Sequence, residues 1–160
     1  MFLTIHAAAG AFIGEMAPNP LVAFAFGFLS HFPLDLFPHG DRAMTHRAKI
    51  NGGRDVRRFI LMTAADAAVG IIVLVSAFAF GRFEHPLLAF AGLLGGILPD
   101  LIVAIPEYAL YVRRSTTSRL RWFYRLHTFN HNAIITRFDV PMRIGFVGQL
   151  LFLILLWKLW

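Results

Sequence analysis

The run from about Phe59 to Phe80 constrains this chain more than any other stretch. It is almost entirely apolar, and Asp66 is its one ionisable residue. A run of about 20 apolar residues is the length of a membrane-crossing helix. Lipid offers the backbone no partners, so only helices and closed barrels cross it. Four more apolar segments flank this one, at about Phe2–Met16, Leu21–Phe37, Leu87–Val112 and Pro141–Trp160. The sequence therefore predicts an all-α, polytopic membrane protein. It forms a single integral membrane domain over residues 1–160, with about five membrane segments and a cytoplasm-facing polar pocket.

Composition agrees. The chain is 58% hydrophobic, with seventeen Phe against only nine acidic residues. Its mean hydropathy is +0.64, well above that of a soluble domain. It has no Cys, which excludes a disulfide framework, a thiolate metal site and a thiol nucleophile. The formal charge of +6 suits either nucleic acid or an anionic membrane surface. The basic residues flank the apolar runs, so membrane lipid is the expected partner and nucleic acid is not. The N-terminal segment has no basic region ahead of its apolar run and carries His6 and Glu15, so it reads as mature protein and not as a signal peptide.

The first segment is short for a span, but Gly10 and Gly14 make a small-x-x-x-small pair that lets helices approach closely. Pro33 is expected to kink the second segment, and Pro38 to stop it. Pro99 and Pro106 predict a broken or bent fourth segment. Residues 120–132 are aromatic and basic and suit an interfacial helix. Trp157, Lys158 and Trp160 anchor the last segment at an interface.

Threading five segments alternately leaves two sides. One holds the N-terminus, the 39–58 loop and the 113–143 stretch, and with them thirteen of the fifteen basic residues. Only Arg82 and Lys158 lie opposite. The excess of Lys and Arg places the first side in the cytoplasm of a bacterial-type inner membrane.

Ionisable groups in lipid are costly, so each needs a partner or a task. His31 and Asp35 are four apart and share a helix face. His6, Asp66 and Asp100 fall at compatible depths, each toward the cytoplasmic side of its segment. His127 and His131 repeat the spacing of four in the aromatic-basic stretch. Chance would scatter such groups over both leaflets. Each has a plainer reading: Asp66 as an interhelical hydrogen-bonder, Asp100 as a cap after Pro99, and the histidines as interfacial residues. Together, three histidines and three carboxylates in a nearly dry pocket favour a metal. Past Pro38, His39 and Asp41 read as residues of the pocket mouth. His46 and His85 read as solvated loop histidines.

The stretch GFLSHFPLDLFPHG, residues 27–40, resembles the G-[YF]-L-S-H-x-x-x-D segment of the YdjM-like membrane-bound metal-dependent hydrolases. Thr4-Ile5-His6 resembles that family's N-terminal histidine, and Gly95–Asp100 its L-L-P-D-x-D segment. Residues 127–131, HTFNH, are a looser echo of its H-R-G-x-T-H-S segment. The islands cover about a third of the chain and stand in a different order. Ile102 replaces the second Asp of LPDxD, and the Arg-Gly pair is missing from the last island. The resemblance implies metal-dependent hydrolysis without fixing a substrate.

The resulting expectation is a metal-dependent hydrolase at the cytoplasmic leaflet. His6, His31, Asp35 and Asp100 are the first-choice ligands. Asp66, His127 and His131 are further ligands, or an orienting partner and general acid–base. A bound metal would lower the pKa of water to make the nucleophile. Histidine and carboxylate without thiolate favour Zn or Mn over Mg or Ca. Arg113, Arg114, Arg119, Arg121 and Arg125 would hold a phosphate, which makes a phosphoester or phospholipid the substrate class. Two alternatives use the same residues: a transporter or proton relay, and a non-catalytic membrane protein whose polar cluster fixes helix packing.

Overall fold

The segment richest in small residues forms the centre of the bundle. In the computed structural model, which describes residues 1–40, 47, 50, 53–113, 119–135 and 140–160, this segment is α1, Leu3–Glu15. Every residue from Thr4 to Ala11 is buried. Alanine and glycine leave room for neighbouring backbones, so α1 can be enclosed on several sides. It packs against α2 (Pro20–Asp35), α3 (Gly53–Ala79), α4 (Pro86–Glu107) and α6 (Met142–Leu159). The remaining helix, α5 (Arg121–Ile135), lies against α4 and α2. The described residues are helical or irregular, with no strand among them.

Gly92 of α4 is the crossing point. A Cβ built there would collide with the Gly10 carbonyl of α1 and come 2.6 Å from Gly14 Cα. A Cβ on Gly27 of α2 would meet the same Gly92, 3.0 Å from its Cα. Three helices thus meet backbone to backbone, and one turn further along α4 a Cβ on Gly96 would meet the His6 carbonyl. This contact sets His6 beside α4 at the depth of Asp100.

Three helical stretches are long and apolar enough to cross a membrane: Arg54–Ala79, Pro86–Leu110 and Met142–Leu159. They are the marks of an integral membrane protein. The other two expected segments are shorter, 13 residues in α1 and 16 in α2, against the roughly 20 that a full span needs. Asn19 caps α2 by accepting the Val22 amide at 3.0 Å, and Pro20 takes the first helical position, where no amide partner is needed. The fourth segment is not broken at its prolines. Pro99 and Pro106 sit buried inside a continuous helix, and the irregularity comes after them, as a π-helical turn over Tyr108–Val112. There the Arg113 amide reaches back five residues to the Tyr108 carbonyl, at 3.1 Å.

Candidate metal centre

α2 and α5 supply the first three groups. His31 and Asp35 project from one face of α2, and His127 projects from α5 toward them. His31 Nε2 and His127 Nε2 are 3.0 Å apart. Asp35 Oδ2 is 3.2 Å from each of them. Neighbouring ligands about 2.0–2.1 Å from a shared ion stand about 3.0–3.4 Å from one another. The three atoms therefore have the mutual spacing of ligands around one cation.

The proton on His31 is fixed by its other nitrogen. Nδ1 lies 2.9 Å from the Gly96 carbonyl, which can only accept, so the N–H is there. In the neutral imidazole this leaves Nε2 with a lone pair facing the group. Histidine ligands in metal sites are held in this way, with the far nitrogen donating to a carbonyl or carboxylate. A purely structural hydrogen-bond network fits less well. Asp35 Oδ2 is buried and lacks a hydrogen bond of sound geometry, although two imidazole nitrogens stand close to it.

His6 and Asp100 adjoin this group. The His6 ring stacks on His31 with centroids 3.8 Å apart, and its Nε2 donates to Asp35 Oδ1 at 3.1 Å. His6 Nδ1 is buried without a hydrogen-bond partner. Asp100 Oδ1 lies 3.4 Å from His127 Nε2 and 3.6 Å from His31 Nε2. His6, His31 and Asp100 make a second triad of convergent ligand atoms that shares His31 with the first. Both fully buried histidines and Asp35 are almost shut off from solvent, whereas Asp100 keeps 30% of its side chain exposed. For His127, burial alone would lower the imidazole. The carboxylates of Asp100 and Asp35 beside it outweigh burial and raise it to about 9.

A cavity of about 230 Å³ reaches this cluster, with Asp100, His127 and His131 in its wall alongside Asp66, Glu107 and Thr128. Asp66 lies in the wall but outside both triads. Its Oδ2 accepts the Thr4 amide at 3.3 Å, and its backbone carbonyl accepts the Thr4 hydroxyl at 2.8 Å. It therefore caps the first turn of α1 from a neighbouring helix. Arg113, Arg119, Arg121 and Arg125 are exposed and none of them lines the cavity. Arg114, Asp41 and His46 lie outside the described residues. His85 is exposed, and its amide donates to Glu15.

One residue set aside by sequence reasoning belongs here. His39, expected at the mouth, is 3% exposed. Its Nε2 faces His131 Nε2 at 3.1 Å, and its Nδ1 donates to the Phe37 carbonyl at 2.7 Å. The chain turns back beneath α6 at this point: a Cβ on Gly145 would meet the His39 backbone, and Gly40 takes a positive φ of 79°. The His-Gly pair after a proline was the available signal, and it marks a tight buried turn here.

Comparison with family models, curated proteins and solved structures gives no match for this chain.

Proposed function

We propose that the chain is a metal-dependent hydrolase of the cytoplasmic membrane that cleaves a phosphoester carried by a membrane lipid. The carrying observation is the convergence of His31 Nε2, His127 Nε2 and Asp35 Oδ2, with the His31 proton held away by Gly96. His31, Asp35 and His127 would hold the ion, with His6 and Asp100 at its flank. Imidazole and carboxylate donors without thiolate favour zinc or manganese. A divalent ion supplies Lewis-acid polarisation and an acidified water at neutral pH. The chain's own groups do the rest. His6 orients Asp35 through the hydrogen bond to Oδ1. Asp100, partly exposed to the cavity and touching His127, is placed to hold or move a proton at the cavity wall. The resemblance of residues 27–40 to the YdjM-like hydrolases points to the same class.

A lipid substrate is supported by a second cavity. A groove of about 770 Å³ runs between α3 and α6, lined by apolar residues such as Val69, Phe146, Leu150 and Leu153. It shares Phe2, Met62 and Asp66 with the cavity at the cluster. An acyl chain in the groove would carry its head group toward His127 and Asp100. On this reading all five segments are immersed, with α1 and α2 as short helices sheltered by the three spanning ones, and the basic stretches face the cytoplasm.

The test is elemental analysis of the purified protein in detergent after loading with zinc or manganese. Wild type is expected to retain stoichiometric metal and His31→Ala to retain at least one ion fewer per chain. A wild type that retains none overturns the reading. Loaded protein should then release phosphate from phospholipid vesicles faster than from a water-soluble aryl phosphate; the reverse order removes the lipid from the proposal.

A further inference from the structure

Beyond the first centre, the geometry points to a second divalent-cation site, held by His39 and His131 and bridged to the first through Asp35. This inference rests on the metal-dependent reading above and makes the centre binuclear.

His31, Asp35 and His39 follow one another at intervals of four along the end of α2 and the turn beyond it, and His127 and His131 are four apart on α5. The two rows face each other in register. His31 meets His127 at 3.0 Å, and His39 meets His131 at 3.1 Å, each contact being Nε2 to Nε2. Asp35 falls between the two rungs in sequence. Its oxygens divide: Oδ2 stands 3.2 Å from the His31 and His127 nitrogens, and Oδ1 contacts His6 Nε2 at 3.1 Å and the Met1 nitrogen at 3.2 Å. A carboxylate with one oxygen in each of two sites is the usual bridge of two-metal hydrolases, whose ions sit about 3.5–4 Å apart.

The second rung repeats the proton arrangement of the first. His39 Nδ1 donates to the Phe37 carbonyl at 2.7 Å, as His31 Nδ1 donates to Gly96. In their neutral forms both histidines thus turn an Nε2 lone pair inward. A cationic nitrogen already occupies the space between Asp35 Oδ1 and His39 Nε2. The Met1 ammonium is 3.2 Å from the first and 2.8 Å from the second. Both atoms therefore converge on one point, and a divalent ion would take the place of that nitrogen. His131 also lines the 230 Å³ cavity, so a substrate in that cavity would meet this second site as well as the first. Two ions side by side suit a phosphoester, because one can polarise the phosphoryl oxygens while the other serves the attacking or leaving oxygen.

The experiment is metal stoichiometry combined with manganese EPR on the full chain in detergent. Wild type loaded with manganese should retain two ions per chain and give the broadened spectrum of a coupled pair. His39→Gln and His131→Gln should each retain one ion and give the six-line spectrum of an isolated one. A wild type that retains a single uncoupled ion, unchanged in His39→Gln, overturns the second site and leaves the first standing. A wild type that retains none overturns the reading on which both depend. Because the wild-type result alone separates one ion from two, a variant that fails to fold does not shield the proposal.

Discussion

At one end of the bundle five histidines and two carboxylates come together: His6, His31, His39, His127 and His131 with Asp35 and Asp100. At the other, Leu74, Ala77, Phe78, Phe83, Trp157 and Trp160 pack into an apolar plug around Ala11 and Ala89. Between them α1 presents only Ala7–Ala9, Gly10, Ala11, Phe12, Ile13 and Gly14. A proton relay or transport path needs polar groups that continue through the membrane. Among the described residues they stop along α1 within two turns of His6, and the far end is closed by rings. On the proposed reading the contrast suits a blind site, not a conduit. It also separates two tasks: the glycine seam at Gly92 sets the spacing of the helices, and the cluster uses that spacing.

The largest effect that could break this picture is at His31. His31→Ala removes the residue shared by both convergent triads. We expect loss of the ion held by His31, Asp35 and His127, leaving at most the one at His39 and His131, with the helical content intact, measured by elemental analysis beside circular dichroism. An undiminished metal content would place the first centre elsewhere.

A paired glycine experiment sharpens the comparison between the ends. Gly96→Ala would press on the His6 carbonyl, and Gly14→Ala on Gly92 Cα and the Leu88 carbonyl, each 2.7 Å from the Cβ added at Gly14. Both are overpacking changes and should cost about 1–3 kcal/mol of stability. They should differ in metal affinity. Gly96 also supplies the carbonyl that fixes the His31 proton, so its variant should bind metal about 10–100-fold more weakly, the size of effect typical for a group supporting a ligand. Gly14→Ala should leave affinity unchanged. Equal affinities in the two would mean that the seam and the cluster are not separable.

A smaller effect is the pH dependence set by His127. Its imidazole is raised from 6.5 to about 9 in the metal-free protein, because the carboxylates of Asp100 and Asp35 outweigh its burial. A raised folded-state value means that this pairing stabilises the fold fully below about pH 6.5 and ceases to do so as pH rises through about 9. A metal must displace the same proton. Zinc affinity should therefore climb with pH up to about 9 and level off above it, as read by competition with a chromophoric chelator. His127→Gln should flatten the climb. A flat wild-type profile would show that His127 does not bind the metal as an imidazole freed of its proton.

The sequence made much of this legible, and unevenly so. The three long helices follow from apolar length alone, and the i, i+4 spacing of His31 with Asp35 and of His127 with His131 follows from helix geometry. The depth argument that added His6 and Asp100 also led to Asp66, yet Asp66 turns to the first turn of α1 and binds its amide. Depth places a side chain in a layer without giving its direction around the helix. His39 was hidden for a different reason. Pro38 ends helical periodicity, so the pattern offers only the His-Gly pair as a turn signal and does not show that Gly145 lets that turn tuck under α6. Lone-pair directions, which separate a metal site from a hydrogen-bond network, depend on the Gly96 and Phe37 carbonyls, and backbone groups carry no sequence signal.

The smallest expected effect lies at the plugged end. Arg82 stands over the Trp157 ring, 5.0 Å from its centroid, in the same region as the packed Phe83 and Trp160 rings. An exposed cation–π contact is worth about 0.5–1 kcal/mol. Arg82→Ala should therefore lower the melting temperature by a few degrees at most. Metal content and the pH profile of zinc binding should stay those of wild type, since no polar chain joins Arg82 to His6 along α1. A change in zinc affinity on Arg82→Ala, with stability held, would reveal coupling through the bundle that the apolar middle of α1 offers no group to carry, and would return the relay reading to contention.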